Sequence, residues 1–355
     1  MAEITREQIL DALSNVQDPT EGKDIVSLNK VGDIVVEKYY ISFTLDYATN
    51  AGTIRDEVKM ACISTLRRLI DKNVVVRVNF SGKPAAAAKP LQDAPPRVLG
   101  GVRNTIAVFS GKGGVGKSTV AANLALALAE TGASVGLMDA DIYGPSVPIM
   151  FGVRGERPMM KDVNGKGMIV PLEKYGIRLM SIGLLVDEKN AVVWRGPMAS
   201  SAIKQFITDV DWGDLDYLVI DMPPGTGDIH LTLLQTVPVT GAVIVSTPQD
   251  VALADAKKGI AMFGQAQLNV KVLGLVENMS YFTPAELPEN KYYIFGKEGG
   301  KRLADEYDLP FLGQIPLVQG IREGGDRGRP IMISEDEVTK GAFRSFAGEV
   351  VKQLS

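Results

Sequence analysis

The residues best suited to chemistry form a glycine-rich segment that contains two lysines. Residues 111–118 read GKGGVGKS, which fits the pattern G-x-x-x-x-G-K-[ST]. Glycines let successive backbone N–H groups turn inward around phosphate oxygens, and the N-terminus of a following helix adds partial positive charge. In this pattern Lys117 contacts the β- and γ-phosphates of ATP, and Ser118 binds Mg²⁺. The predicted nucleotide-binding residues of this segment are Gly111, Lys112, Gly113, Gly114, Val115, Gly116, Lys117, Ser118 and Thr119.

Acidic residues follow two apolar segments further along the chain. Asp221 comes directly after Tyr217–Ile220, and Asp139 and Asp141 come after Val135–Met138. Ligands of open α/β sheets collect at the carboxyl ends of the strands, so we expect these carboxylates near the phosphate loop. The segment PPGTGD, which begins at Pro223, follows at the place where a loop sensing the γ-phosphate would lie. For Asp139 two roles stay open, one in the site and one in capping a helix or turn.

The elements that must position these residues are short apolar strands alternating with helices. The glycine-rich segment follows a predicted strand at Thr105–Phe109 and opens a predicted helix at Ser118–Glu130, the context that the motif requires. Strands that are apolar on both faces belong in a buried parallel sheet. The predicted fold is therefore α/β, a P-loop NTPase with a mostly parallel sheet flanked by helices. The other predicted strands are Val135–Met138, Leu179–Ile182, Tyr217–Ile220, Ala242–Val245, Val272–Val276 and Phe311–Ile315.

A separate small domain is predicted ahead of this region. The stretch from Gly82 to Gly100 is rich in Ala and Pro without a periodic apolar face, which is typical of a semi-rigid linker. Before it, the pattern predicts the order α-β-β-α-β, with Thr5 and Gln8 forming a capping box and Asp18-Pro19 forming a turn. We therefore expect a small domain at 1–81, a linker at 82–101 and an ATPase domain at 102–355.

Composition excludes several classes of protein. The net charge of -4 gives no electrostatic reason to expect nucleic acid as a partner. One cysteine, Cys62, and one histidine, His230, cannot build a standard zinc or iron–sulfur site within one chain. The N-terminus lacks the apolar region of a signal peptide, and the longest apolar runs are too short for a membrane span. We expect a cytoplasmic protein that binds neither nucleic acid nor membrane.

A first resemblance to a known family rests on Lys112, Asp141 and Asp221. A second lysine at the start of the phosphate loop resembles the deviant Walker A family, which includes MinD, ParA and the nitrogenase iron protein. The resemblance implies a homodimer in which Lys112 crosses to the partner's nucleotide; the alternative is a solvated loop lysine. Asp221 looks like a Walker B acid that faces Mg²⁺ through a water. Asp141, by resemblance, is the acid that positions the attacking water.

Longer strings resemble the Mrp/ApbC family of iron–sulfur cluster carriers with ATPase activity, from Gly101 to the C-terminus. The resemblance implies that Asn278 contacts adenine and that a 4Fe–4S cluster passes to apoprotein acceptors or assembly proteins. The N-terminal domain, with Asp18-Pro19 and residues 24–28 (DIVSL), resembles the small domain of iron–sulfur assembly factors. The strings that carry the resemblance are MDADIYGPS at 138–146, VWRGPMAS at 193–200, DMPPGTGD at 221–228, TPQDVAL at 247–253 and ENMS at 277–280.

The chain departs from this family at the cluster ligands. The family usually carries C-x-x-C soon after the ENMS string, where this chain reads YFTPAEL at 281–287. Relatives of the small domain often carry a reactive cysteine near Ala48–Gly52, which is also missing here. Iron prefers thiolate ligands, and Glu286 and Glu289 are poor substitutes. No iron–sulfur ligand is identifiable, and Cys62 is predicted to pack in the core of the small domain.

Two further features of the sequence allow alternative interpretations. His230 is expected to be a partly exposed loop or helix residue, or else a pH-sensitive or nucleotide-sensing contact. The predicted C-terminal helix at Val338–Ser355 places Phe343, Phe346, Val350 and Leu354 on one face. Such a helix can attach to a membrane, but the balance of basic and acidic residues favours docking on its own domain.

Three functions follow from these observations. The first is an ATP-hydrolysing dimer that carries or assembles iron–sulfur clusters. The second is a positioning or partitioning ATPase on DNA or membrane, which the lack of a basic patch disfavours. The third is a regulatory ATPase of cluster assembly that holds no cluster, and the sequence does not separate it from the first.

Overall fold

A computed structural model describes most of the chain. The residues outside this description include 82–98 of the predicted linker, the Ala48–Gly52 stretch except Gly52, the first three residues of VWRGPMAS, Ala285 and Ser355. The described residues are 4–19, 21–37, 40–47, 52–71, 74–81, 99–163, 165–185, 196–265, 268, 270–284, 286–287 and 289–354.

Contacts divide the chain into two compact units, Met1–Ala94 and Pro95–Ser355, which are described separately. The helices are α1 (Arg6–Leu13), α2 (Gly52–Leu69), α3 (Lys117–Glu130), α4 (Val147–Met150), α5 (Gly196–Asp209), α6 (Asp228–Thr236), α7 (Asp250–Phe263), α8 (Gly299–Glu306), α9 (Gln319–Asp326) and α10 (Glu337–Leu354). The strands are β1 (Val31–Glu37), β2 (Tyr40–Leu45), β3 (Val75–Phe80), β4 (Val102–Phe109), β5 (Val135–Asp139), β6 (Met160–Val163), β7 (Lys166–Ile169), β8 (Leu172–Lys174), β9 (Ile177–Ser181), β10 (Leu215–Asp221), β11 (Gly241–Ser246), β12 (Val272–Glu277) and β13 (Phe311–Gln314).

The small unit has the predicted α-β-β-α-β order. Thr5 and Gln8 form the capping box of α1. The sheet order is β1-β2-β3, with β1 antiparallel and β3 parallel to β2. The apolar faces of α1 and α2 supply Ile9, Leu13, Val58 and Leu66 to the core. Burial of these side chains stabilises a sheet that is too small to be stable alone.

The large unit is built on a parallel sheet, as the apolar strands predicted. The strand order is β13-β12-β11-β4-β10-β5-β9-β8, and each neighbouring pair is parallel except β8 and β9. Each of the seven predicted strands is present, and the end of β4 is buried at the centre of the sheet. This arrangement places the carboxyl ends of β4, β5 and β10 side by side, where the predicted site residues lie.

The C-terminal helix α10 docks on its own unit. Phe343, Phe346 and Val350 are fully buried in the main core. Arg344 on the outer side of α10 makes a two-pronged ion pair with Glu130, the last residue of α3. The docking interpretation is confirmed, because the apolar face is covered by protein. In the described part of the chain, no helix is both long and apolar enough to span a bilayer.

Candidate nucleotide site

The phosphate loop has the backbone shape that its glycines predict. It connects β4 to α3, and α3 begins at Lys117 directly after Gly116. Gly116 has a φ of 79°, and a Cβ on it would lie 2.3 Å from Asn278 Nδ2. Glycine is therefore required there by both backbone conformation and space. At Gly111, a Cβ would lie 2.2 Å from the carbonyl oxygen of Asp255, so the loop also packs tightly on α7.

Lys117 lies at the centre of a buried group of charges. Its side chain is 5% exposed, and its ammonium donates hydrogen bonds to Asp221 Oδ1 and, at 3.3 Å, to Ser118 Oγ. Asp141 Oδ2 is 3.8 Å from the same nitrogen. The structure thus brings together four residues that the sequence predicted from three separate segments. A buried ammonium at this point is placed to neutralise phosphate charge where water competes little.

Asp221 carries a buried oxygen that suits a cation. Among the described residues, its Oδ2 has no hydrogen-bond partner, although the residue is fully buried. Burial raises the pKa of Asp221, and the Lys117 ammonium and the Ser118 hydroxyl oppose that rise. A carboxylate oxygen beside a serine hydroxyl is the hard oxygen donor set that Mg²⁺ prefers. Asp221 and Ser118 therefore fit the predicted Mg²⁺ role.

Asp139 makes structural hydrogen bonds, which supports the capping alternative. Its Oδ2 accepts from the N–H of Val147, the first residue of α4, at 3.2 Å and from Ser181 Oγ at 2.9 Å. Its Oδ1 accepts from the N–H of Asp141 at 3.1 Å. Burial, followed by the charge of Asp221, raises the pKa of Asp139. Asp139 thus fixes the loop that carries Asp141 and the start of α4.

Asp141 faces the site from this loop. The residue is 8% exposed, and its Oδ1 accepts from the N–H of Gly144 at 3.2 Å. Its other oxygen points to Lys117. The carboxylate is therefore held by its own loop at the carboxyl end of β5, within reach of the residues that would contact the terminal phosphate.

Asn278 lines a cavity beside the phosphate loop. Asn278 Nδ2 donates to the carbonyl oxygen of Val115 at 2.8 Å, which ties the end of β12 to the loop. The cavity has a volume of about 410 Å³, within the range of small-ligand sites. Its lining is mostly apolar and includes Gly116, Thr119, Ile149, Asn278, Pro316 and Ile321. This combination suits a flat heterocycle next to bound phosphates.

The interpretation of His230 as a partly exposed residue is wrong. The residue is 3% exposed and lies in the first turn of α6. Its Nδ1 accepts from the N–H of Gly227 at 3.0 Å, and its Nε2 donates to the carbonyl oxygen of Pro223 at 2.8 Å. Because both partners are backbone groups of the loop before α6, no neighbouring side chain in the sequence indicates this burial.

Lys112 lies in the phosphate loop, three residues after the end of β4. The residue is half-buried, and its carbonyl oxygen accepts from Ser110 Oγ at 2.9 Å. Within the described ranges, its ammonium makes no ion pair, in contrast to Lys117. The structure of one chain thus leaves this ammonium available to a further group.

Cys62 packs in the core, as predicted. The side chain is fully buried, and burial raises the pKa of the thiol to about 12. The sequence holds no other cysteine. Among the residues that the structure describes, no group of three or more His, Cys, Asp or Glu side chains could hold a metal ion. The chain alone therefore does not fit a four-thiolate cluster.

Sequence reasoning missed the far wall of the cavity. Ile149 belongs to the short helix α4, and Pro316 and Ile321 follow β13. The strand at Phe311–Ile315 was predicted, so its carboxyl end could have been placed at the same edge of the sheet. The helix α9 that follows contains three glycines in eight residues, a composition that does not predict a helix.

Comparison with known proteins points to one family for each unit. Residues 101–351 match the family described as NUBPL iron-transfer P-loop NTPase, and residues 6–80 match the family described as iron–sulfur cluster assembly protein. A protein from Synechocystis sp. named iron–sulfur cluster carrier protein is 45% identical over 99% of this chain and 98% of its own length. A protein of the same name from Escherichia coli is 44% identical over 99% of this chain and 93% of its own length.

A solved structure extends the comparison to the fold. A nucleotide-binding protein from Archaeoglobus fulgidus in complex with ADP is 40% identical, with a TM-score of 0.58. The match covers 67% of this chain and 90% of that one.

Proposed function

The chain belongs to the NUBPL iron-transfer P-loop NTPase family, and from this premise we propose that it binds and hydrolyses ATP in the carriage or assembly of iron–sulfur clusters. The observation that carries the ATPase part is the buried cluster of Lys117, Asp221 and Asp141 beside the phosphate loop. The similarity to a protein in complex with ADP supports the same ligand class. The relatives' names support the cluster part.

Each residue has a distinct role in this proposal. The backbone N–H groups of 111–119 surround the phosphates, and Lys117 neutralises the charge that develops on the γ-phosphate. Ser118 and Asp221 would hold Mg²⁺, which supplies further neutralisation of the phosphate oxygens when bound. Asp141 orients the attacking water. Asn278 contacts the adenine in the cavity, where its amide is fixed by Val115.

Lys112 is proposed to act across a homodimer. A cation supplied in trans contributes roughly 10³–10⁵-fold to the rate in related NTPases, although lysine lacks the bidentate contact of arginine. The test uses two variants, Lys112→Ala and Lys117→Ala, each nearly inactive alone. A mixed dimer pairs one intact phosphate loop with one intact crossing lysine, so mixing should restore part of the ATPase activity. Mixtures that stay inactive, although mixed dimers form, would contradict the crossing role.

Two versions of the cluster function differ in where the cluster sits. In the first, the chain carries the cluster to apoprotein acceptors. In the second, it is a regulatory ATPase of cluster assembly and holds no cluster, which the buried single thiol and the missing C-x-x-C favour. Anaerobic reconstitution with iron and sulfide, with absorbance spectra and metal counting, separates them. Cys62→Ala is the matched control.

A bound cluster that persists in Cys62→Ala would require ligands other than thiols of this chain and would support the carrier. Iron content at background in both proteins would support the regulatory ATPase. In either case the localisation is proposed to be cytoplasmic, with no nucleic-acid or membrane partner.

The domain boundaries are also a proposal, with a small domain at 1–81, a linker at 82–101 and an ATPase domain at 102–355. The small unit has its own core and its own capped helix, which supports independent folding. A fragment ending near Gly82 should show a cooperative thermal transition. A gradual, non-cooperative loss of structure would contradict the boundary.

A further inference from the structure

The loop between β10 and α6 is closed by one imidazole ring. This loop, Pro223–Gly227, begins two residues after Asp221 and ends directly before α6. His230 reaches back from the first turn of α6 to both ends of the loop. Its Nε2 binds the carbonyl oxygen of Pro223 at 2.8 Å, and its Nδ1 binds the N–H of Gly227 at 3.0 Å.

These two bonds fix one protonation state of the ring. A carbonyl oxygen can only accept and a backbone N–H can only donate, so Nε2 must carry the proton and Nδ1 must be bare. The neutral form is favoured because burial lowers the pKa of His230. Of the charged groups nearby, the Lys117 ammonium lowers this pKa further and the Asp141 carboxylate raises it. A charged ring would lose the bond to Gly227.

The ring also connects this loop to the phosphate loop. His230 packs edge-on against Phe109, with 5.7 Å between the ring centroids. Phe109 is the last residue of β4, and its ring packs edge-on against Phe263 at 5.3 Å. The next residue, Ser110, accepts from the N–H of Gly225 at 3.0 Å. The middle of the loop, at Gly225, and the His230 ring, which clamps its two ends, therefore contact adjacent residues just before the phosphate loop.

We propose that His230 is a positioning residue that holds Pro223–Gly227 in the shape that contacts the γ-phosphate of ATP. The proposal rests on the proposed ATPase function and adds to it a residue that touches no phosphate itself. The loop begins two residues after Asp221, the carboxylate that would face Mg²⁺, and its Gly225 binds Ser110 just before the phosphate loop, so it lies beside the place where the γ-phosphate would be. Since ADP lacks this phosphate, the clamp should matter for ATP turnover and little for ADP binding.

Three substitutions separate the two hydrogen bonds. His230→Asn can keep an acceptor near Nδ1, and His230→Gln can keep a donor near Nε2. His230→Leu keeps apolar contact with Phe109 and loses both bonds. Thr236→Ala is the matched control, because it removes a hydrogen bond to the Thr232 carbonyl on the same helix, away from the loop.

The measurements are kcat and KM for ATP, the Kd for ADP, the thermal midpoint and hydrogen exchange of the Gly227 amide. His230→Leu should lower kcat at least tenfold, since a misplacement of about 1 Å can cost about 10²-fold in rate. The Kd for ADP should stay within about twofold. His230→Asn and His230→Gln should show intermediate rates, with Gly227 protected from exchange only in the Asn variant. Thr236→Ala should match the wild-type rate within about twofold.

Two results would overturn the proposal. One is wild-type kcat in His230→Leu. The other is a fall in ATP and ADP affinity together, in step with the thermal midpoint, which would mean that the ring only packs. If the wild-type protein itself fails to hydrolyse ATP, the proposed function fails, and Gly227 exchange still decides whether His230 clamps the loop.

Discussion

Two clusters of lysine and aspartate, one in each unit, use the same residue types but satisfy their carboxylates to different degrees. In the small unit, Asp18 Oδ2 accepts from Lys30 Nζ at 2.7 Å and from the Tyr47 hydroxyl at 2.6 Å. Its Oδ1 accepts from the N–H of Glu21 at 3.0 Å. In the large unit, Asp221 Oδ1 accepts from Lys117, and Oδ2 has no partner among the described residues.

The difference indicates which cluster is built for a ligand. A buried polar atom without a partner costs roughly 1–3 kcal/mol, so its retention needs a reason. At Asp221 the reason is a ligand that brings its own charges, because the glycine-rich loop and the cavity lie beside it. At Asp18 the Lys30 ammonium compensates the carboxylate, and this ammonium also lies 4.7 Å from the centre of the Tyr47 ring. The Asp18 cluster therefore serves stability.

The largest effect is expected at Lys117. Lys117→Ala should abolish ATP binding and turnover together, because it removes the buried charge that meets the phosphates. It also leaves Asp221 without its present partner, so the folded state should be checked by circular dichroism. Nucleotide titration of the purified variant is the measurement. If ATP affinity and the hydrolysis rate equal those of the wild type, ATP binds elsewhere. The Asp221 cluster would then not differ from the Asp18 cluster in being a ligand site.

A smaller and more selective effect is expected at Asp141. Asp141→Ala should leave the Kd for ATP within a fewfold and lower kcat by about 10²-fold, because orienting a water matters mainly in the transition state. Equilibrium binding and single-turnover rates separate the two quantities. Asp139→Ala serves as a contrast, since it should instead reduce stability by disrupting α4. A collapse of ATP affinity at a normal rate would give Asp141 a different role.

These contrasting aspartates show how far the sequence could predict the site. The glycine spacing alone predicted the loop and Lys117, because that motif is local. The strand-end rule placed Asp221 and Asp141 correctly. The role of Asp139 stayed open because its donors, Val147 and Ser181, lie 8 and 42 residues away. His230 was misjudged because its partners are backbone groups, which leave no trace in side-chain patterns.

The fold was predictable where apolar runs were long. The central strands of the parallel sheet are mostly buried and mostly apolar, so their composition identifies them. The hairpin of β6 and β7 was missed because its residues are mostly exposed and each strand has only four residues. The short edge strand β8 was also missed, because three partly exposed residues are too few to show an alternating apolar pattern.

The Asp18 cluster allows a test of stability that corresponds to the Lys117→Ala test of nucleotide binding. Asp18→Ala should destabilise the small unit by about 3 kcal/mol, because it removes the buried carboxylate that accepts from Lys30 and from Tyr47. Native-state hydrogen exchange of the β2 amides in the full chain measures this loss. ATP turnover should change less than twofold. A stable variant with altered nucleotide binding would reverse the assignment of the two clusters.

The smallest effect on stability is expected for an exposed ion pair. Arg344 binds Glu130 in two-pronged fashion, at 2.6 and 2.8 Å, and binds Glu337 at 2.7 Å, on the solvent side of α10. The bonds to Arg344, and then to Lys340, lower the pKa of Glu337 to about 2, and Arg344 also lowers the pKa of Glu130. A carboxylate with a lowered pKa stabilises the folded state fully above its unfolded pKa of about 4.3. That contribution disappears as the pH falls through the folded pKa.

Arg344→Ala should therefore lower the urea midpoint of the large unit slightly at pH 7, by much less than Asp18→Ala lowers that of the small unit. The reason is that these side chains are partly exposed and screened by water and salt. The difference from wild type should shrink between pH 4.5 and about pH 2, where Glu337 becomes protonated. It should also shrink in 1 M salt, at a Debye length of about 3 Å. Arg322→Ala, which removes an exposed pair within α9, is the control. If Arg344→Ala destabilised the protein as much as Asp18→Ala does, and did so at every pH, burial would not explain which cluster contributes more to stability.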